Sequence, residues 1–342
     1  MSTSLPGTLQ TPPAVPTTEH ACPAGPRSPD VRDPFAEEQA TLPRAAITAM
    51  VKAALAEDVG EGDLSAALIP AGKRARAQLL LREPAMVCGQ AWFEACFHLL
   101  DPSIEIHWWV PEGEWVSEPC TIAEVTGYAR PILTAERSAL NFLQTLSGTA
   151  TTTAQLVRQL QGSRTRLLDT RKTLPGLRMA QKYAVRIGGG HNHRLGLWDA
   201  VLIKENHIRA CGSLHAAVMA ARQAGRGRWI EVETESLAEV EEALAVGVDV
   251  IMLDELPANE LPLAIQRIQG RAIAEISGGI TEERLAAYAA LGVDYLSSGS
   301  LTKHLRAIDF SLRFQEIPAE VLAESPVEGP AEDNAESPAG RG

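Results

Sequence analysis

From Thr165 to Gly299 the chain repeats one pattern, a run of strand length followed by a segment of helix length. The strand candidates are TRLLDT, DAVLIKE, WIEVET, DVIMLDE, AIAEISG and DYLSSG. The helix candidates between them are LRMAQKYAVRI, SLHAAVMAARQA, SLAEVEEALAVG, LPLAIQRIQG and EERLAAYAALG. Several end at Gly, which readily takes the left-handed backbone of a helix C-terminus. Alternating βα units imply a parallel sheet. The six strand candidates are fewer than the eight of a closed (β/α) barrel, so the expected architecture is α/β with an open, incomplete barrel.

The part before Thr134 reads differently. Ile47, Met50, Val51, Ala54 and Leu55 recur at helical spacing. A turn-rich EDVGEGDLS follows, then three extended stretches, ARAQLLLREPAMVCG, EIHWWVPEGEWV and CTIAEVTGYA, with a helical AWFEACFHLL between the first two. A sheet carrying helices on one face accounts for them, an α+β arrangement. TAERSALNFLQTLSG then places Leu140, Leu143 and Leu146 on one helical face. Residues up to Pro43 and those after Pro318 are rich in Pro, Ala and Ser or Glu, with too little apolar patterning to offset the entropy of ordering, and both are expected to be disordered.

The net charge of −12 argues against nucleic acid or an anionic membrane as a main partner. Much of that acidity lies in the C-terminal tail (Glu320, Glu324, Glu328, Glu332, Asp333 and Glu336) and says little about a site. Cys22, Cys88, Cys96, Cys120 and Cys211 form no CxxC pair and read as reduced thiols. No apolar run reaches the ~20 residues of a membrane span and no secretory signal opens the chain, so a cytoplasmic protein is expected.

Chemistry in α/β barrels sits at the C-terminal ends of the strands. Here those ends carry Asp169, Arg171 and Lys172; Lys204, Glu205 and Asn206; Glu233; Asp254; Ser277, Gly278 and Gly279; and Ser298, Gly299 and Ser300. The two Ser/Gly turns suit a phosphate approached by backbone N–H groups. Arg171, Lys172, His193, Arg194 and Lys204 repel one another unless a polyanion lies among them. Arg178, Lys182 and Arg186 share helical spacing and read as one solvated helix face. Glu233 and Asp254 suggest Mg²⁺, ribose hydroxyls, or ion pairs to Lys204 or Arg171. IGGGHNHR reads as a flexible glycine loop bringing His193 and Arg194 to the ligand, not as a zinc site. His207 and His304 read as structural. The ligand these residues imply has several carboxylates and phosphates.

DTRKTLPGLRMAQKYAV and GGGHNHRLGLWDAVLIKENHI, with EDVGEGDLS, AERSALNFLQTLSGTAT, IEVETES, IMLDE, EISGGI and GVDYLSSGSLT, resemble the quinolinate phosphoribosyltransferase family over residues 45–315. The resemblance implies an N-terminal α/β sandwich at 44–148 and an open barrel at 149–316, between disordered segments 1–43 and 317–342, with the last strand returning to the sandwich. It implies conversion of quinolinate and phosphoribosyl pyrophosphate to nicotinate mononucleotide, by a homodimer or multiple of dimers with shared sites. Position by position, Arg137 (from the partner subunit), Arg171, His193 and Arg194 would hold the quinolinate carboxylates. Lys172 and Lys204 would meet the phosphoribosyl pyrophosphate and act in catalysis. Glu233 and Asp254 would hold ribose hydroxyls and Mg²⁺ and serve catalysis too. Ser277, Gly278 and Gly299 would cradle the 5′-phosphate. Read from the sequence alone, Arg137 sits near a helix N-terminus, where the dipole disfavours a cation. A transferase for another pyridine acid such as nicotinate, a related barrel protein of metal-transport operons, or a non-catalytic phosphate-metabolite binder are the competing readings.

Overall fold

A computed structural model describes residues 31, 33–35 and 42–315. The first part comprises α1 (Arg44–Val59), β1 (Arg74–Leu81), β2 (Ala85–Met86), α2 (Gln90–Leu100), β3 (Glu105–Trp108), β4 (Trp115–Val116), β5 (Cys120–Tyr128) and α3 (Ala129–Gln159). The second comprises β6 (Arg166–Leu168), α4 (Arg178–Ile187), β7 (Val201–Ile203), α5 (Glu205–Cys211), α6 (Leu214–Ala224), β8 (Ile230–Thr234), α7 (Leu237–Val246), β9 (Val250–Asp254), α8 (Leu261–Ile268), β10 (Ile273–Ser277), α9 (Glu282–Ala290), β11 (Tyr295–Ser297), α10 (Ser300–Lys303) and β12 (Phe310–Gln315).

The first sheet runs β12-β1-β5-β3 with antiparallel pairing. β12 closes it from the far end of the described chain, the return the resemblance implied. Alternate residues of β1 (Ala75, Ala77, Leu79, Leu81) point into a core shared with Trp92, Phe93 and Phe97 of α2 and Leu140, Leu143 and Leu146 of α3. Burying each such large side chain stabilises the fold by ~1.5–3 kcal/mol. α3 is longer at both ends than its leucine spacing shows. Thr151 and Thr153 are poor helix formers, but both are buried, Thr151 Oγ1 accepts the Met86 N–H (2.9 Å) and Thr153 Oγ1 donates to the Thr149 carbonyl (2.8 Å). Arg137 therefore lies inside α3, well past its start at Ala129, and the dipole objection does not apply.

The second sheet is all parallel, in the order β6-β11-β10-β9-β8-β7. β6 and β7 are its two edges, so the barrel is open between them. Outward residues of its strands, among them Val232, Ile251, Leu253, Ala274, Ile276 and Leu296, pack on the surrounding helices.

Three expectations are corrected here. Lys182 is not on a solvated face: it is 1% exposed and ion-pairs with Asp169, itself fully buried. Gly188–Gly190 is not a flexible loop. A Cβ on Gly190 would lie 2.8 Å from Val185 Cγ1, and the chain leaving the turn bridges β6 through His191. The segment before Pro43 is not wholly without fixed structure, because Val31 and Asp33–Phe35 pack against the barrel. The remaining expectations of disorder, and Cys22, lie outside the described residues. Cys88, Cys96, Cys120 and Cys211 are free thiols, as expected. No helix among the described residues is long and apolar enough to cross a membrane.

Candidate active site

Strand parity decides which side chains enter the barrel. The registers align Glu231 with Val250, Ile273 with Val250, Ser277 with Asp254, and Glu275 with Tyr295. Ala200, Trp229, Val250, Ile273 and Tyr295 form an apolar floor at the N-terminal ends of the strands. Two residues further along each strand come Leu202, Glu231, Met252, Glu275 and Ser297. Two further still come Lys204, Glu233, Asp254, Ser277 and Gly299, a ring at the C-terminal rim.

The ring is contiguous. Lys204 Nζ ion-pairs with Glu233 Oε2. Gly278 has φ +81°, a backbone conformation that favours glycine, and a Cβ there would lie 2.6 Å from Asp254 Oδ1. A Cβ on Gly299 would lie 2.8 Å from Lys172 Cδ. Thr302 Oγ1 donates to the Lys172 carbonyl (2.8 Å) and fixes that strand exit. Burial raises the Asp254 carboxyl and Glu233 raises it further, while Lys204 and Lys172 pull it down. Strand ends far apart in sequence thus act on one another's charge.

Arg171 is half-buried, and its Nε is buried with no hydrogen-bond partner. Arg194 is 9% exposed and donates from Nη1 to the Ala200 carbonyl at 3.1 Å. Burial lowers the Arg194 pKa, and the charge of Arg171 is the next cause. Two neighbouring guanidiniums with an unmet buried donor suit a carboxylate, which accepts such bonds in pairs. Glu231 and Asp199 partly offset the charge on Arg194.

His193 differs from its expected place. It is 5% exposed and sits one layer beneath the rim, with Nε2 2.8 Å from Glu231 Oε2 and 3.6 Å from Glu275 Oε2. Its backbone holds it there: Asp169 Oδ1 accepts the His193 N–H (2.9 Å), and Lys182 Nζ donates to its carbonyl (3.0 Å). His193, Glu231 and Glu275 lie close enough to hold a metal ion. The tautomer opposes this. His193 Nδ1 accepts the Arg194 N–H at 2.8 Å, so the ring proton of the neutral imidazole is on Nε2, the atom a metal would need. The cluster is better described as a protonated one. Burial lowers the His193 pKa and pushes Glu231 and Glu275 up to about 8, with Glu231 adding to the rise of Glu275.

A pH dependence of stability follows. Each glutamate holds its proton more tightly folded than unfolded, so its contribution is complete below the ordinary carboxylate value of 4.5 and is lost as pH rises through about 8. Tm is expected to fall by roughly 5 °C or more between pH 5 and pH 8.5. Glu275→Gln should fall by less than half of that in the same thermal melts. Parallel pH profiles for the two proteins would contradict the assignment.

Comparison with known proteins decides the family. The model for the quinolinate phosphoribosyl transferase N-terminal domain matches residues 63–147, and that for the C-terminal domain matches residues 149–313. The chain belongs to the quinolinate phosphoribosyltransferase family. A probable nicotinate-nucleotide pyrophosphorylase [carboxylating] of Bacillus subtilis is 42% identical over 75% of this chain and 89% of that protein. The Mycobacterium leprae nicotinate-nucleotide pyrophosphorylase [carboxylating] is 40% identical over 77% of this chain and 95% of its own length. Among solved structures, the nicotinate-nucleotide pyrophosphorylase from Francisella tularensis superimposes with TM-score 0.78 at 43% identity, over 80% of this chain and 98% of that one.

Within this family member, the structure brings Lys172, Lys204, Glu233, Asp254, Ser277, Gly278 and Gly299 to one rim, with Arg171 and Arg194 beside it. Arg137 is exposed on α3, in the first part of the fold. Glu231 and Glu275 were not anticipated. Their signal was parity: WIEVE and AIAEIS each place a glutamate on the same strand face as a rim residue, inside an otherwise apolar run. The Asp169–Lys182–Asn192 network was also missed; Asn192 Nδ2 donates to Asp169 Oδ2 (2.6 Å) and to the Lys182 carbonyl (2.9 Å).

Proposed function

We propose that this rim transfers the phosphoribosyl group of phosphoribosyl pyrophosphate to the quinolinate nitrogen, releasing pyrophosphate and CO₂ and leaving nicotinate mononucleotide for NAD biosynthesis. The observation that carries it is the buried, unpartnered Arg171 Nε beside Arg194, at a barrel mouth that also carries the Gly278 and Gly299 turns. Arg171 and Arg194 grip the ring carboxylates, with His193 beneath fixing Arg194. Lys172, against Gly299, meets the phosphate side. Ser277, Gly278 and Gly299 offer backbone close to the 5′-phosphate. Lys204 leaves Glu233 to neutralise the pyrophosphate, freeing that carboxylate for the ribose hydroxyls. Bringing two anionic substrates together is the main service of the cationic cage.

Glu233 and Asp254 fit Mg²⁺. They are adjacent oxygen donors on β8 and β9, and Mg²⁺ takes one or two carboxylates together with substrate phosphates in preference to an all-protein cage. When bound, Mg²⁺ would supply positive charge to the pyrophosphate oxygens. Once nitrogen is alkylated, the pyridinium stabilises the electron pair left as CO₂ departs, and that carbon then takes a proton from water to give nicotinate mononucleotide. We also propose a homodimer, or a multiple of dimers, in which the partner's copy of Arg137 completes each mouth. The exposure of Arg137, and of Leu197 and Trp198 beside the open β7 edge, supports this. A cytoplasmic location accords with the free thiols.

Purified protein with Mg²⁺, phosphoribosyl pyrophosphate and quinolinate labelled in the 2-carboxylate should release one labelled CO₂ for each nicotinate mononucleotide formed. Nucleotide without CO₂, or no turnover, would remove this reading.

A further inference from the structure

Phe35 lies before the family match, which begins at Asp63, yet it is 5% exposed. Its ring meets Trp229 edge-on at 5.1 Å and Tyr295 at 4.9 Å, and lies 5.4 Å from the His193 ring. Val31 packs on the same cluster. The segment is tethered as well as packed. The Tyr295 hydroxyl donates to the Asp33 carboxylate (3.0 and 3.1 Å), and Asp33 Oδ1 also accepts the Phe35 N–H (3.2 Å). A residue of the N-terminal extension thus completes the floor of the barrel, at the end opposite the rim.

That floor bears directly on His193, whose ring is held between Phe35 and Trp229 (5.6 Å) below and the Glu231–Glu275 pair beside it. The ring in turn accepts the Arg194 N–H, so its orientation and the placing of the Arg194 backbone are coupled. Removing the Phe35 ring would open a cavity next to a polar cluster. Cavities with polar walls take up water, and water there would compete for Nε2 and free the ring to turn.

We infer that Phe35 is a positioning residue for the family reaction: through His193 it sets Arg194 for the acid substrate. The extension is part of the working barrel. The inference rests on the proposed role of Arg194 toward the acid carboxylates. A displacement of about 1 Å at such a group can cost up to about a hundredfold in rate.

The test compares full-length wild type, Phe35→Ala and Phe35→Leu in steady-state kinetics, varying each substrate with the other saturating. Phe35→Ala should raise KM for quinolinate about tenfold and leave KM for phosphoribosyl pyrophosphate within about twofold. Phe35→Leu, which keeps an apolar plug, should recover most of the loss. Unchanged kinetics, equal rises in both KM values, or a Leu variant no better than Ala would each overturn the inference, because a purely structural role lowers the active fraction without splitting the two substrates. If Phe35→Ala fails to fold, Tyr295→Phe, which removes the hydroxyl's hydrogen bonds to Asp33 without a cavity, should shift quinolinate KM in the same direction; no shift would overturn it too. Wild-type protein that does not turn over quinolinate would fault the proposed function itself. Wild-type turnover with no Phe35 effect would fault this inference alone.

Discussion

Arg171→Ala is expected to lower kcat/KM for quinolinate about a hundredfold, with KM for phosphoribosyl pyrophosphate within about twofold of wild type. A hundredfold is about 2.7 kcal/mol of transition-state stabilisation, the scale of a charge-assisted hydrogen bond to a carboxylate in a partly dry site. The buried Nε without a partner is the reason to place the effect on the acid substrate. The phosphate side is served by other groups, Lys172 against Gly299 and the Ser277–Gly278 turn. Arg171→Lys should recover little, because an ammonium cannot present the paired donors of a guanidinium. Equal losses for both substrates would show that Arg171 serves the whole cage and not the diacid.

Asp169→Ala is expected to destabilise the fold by about 3–5 kcal/mol in chemical denaturation. Asp169 is fully buried and receives Lys182 Nζ, Asn192 Nδ2 and the His193 N–H. Burial pushes its carboxyl up and the Lys182 ammonium down, each against the pull of its partner. Removing the carboxylate strands a cation that is 1% exposed and releases the backbone leading to His193 and Arg194. Replacing both partners together with apolar residues should recover much of the loss, because the pair pays a large desolvation cost that an apolar pair avoids. A loss under about 1 kcal/mol for the single variant would mean the network contributes little to stability.

The rim was legible in the sequence because strand ends announce themselves. Apolar runs stop, and charged residues or glycines follow at each exit, as at Lys204, Glu233, Asp254 and Gly278. Open-barrel topology followed from the alternation of strands and helices. Burial inside the barrel was harder to read. Arg178, Lys182 and Arg186 do share a helix face, but periodicity does not say what that face meets, and the partner of Lys182, Asp169, comes from the exit of β6. His193 was placed at the ligand because a loop position carries no sign of depth; its depth is set by hydrogen bonds from Asp169 and Lys182. Arg137 was placed near a helix start because the leucine spacing begins late, whereas tertiary packing extends α3 back to Ala129. Phe35 had no periodic neighbour in a Pro-rich stretch, and residues distant in sequence, Trp229, Tyr295 and His193, give it a place.

The central claim is that two guanidiniums at one barrel mouth select a planar aromatic diacid. The most direct measurement offers quinolinate and nicotinate in competition, at equal concentration, with saturating phosphoribosyl pyrophosphate and Mg²⁺. The account predicts that quinolinate is consumed at least about a hundredfold faster, since a monoacid leaves one of the buried donors unmet. Nicotinate consumed as fast or faster would contradict it.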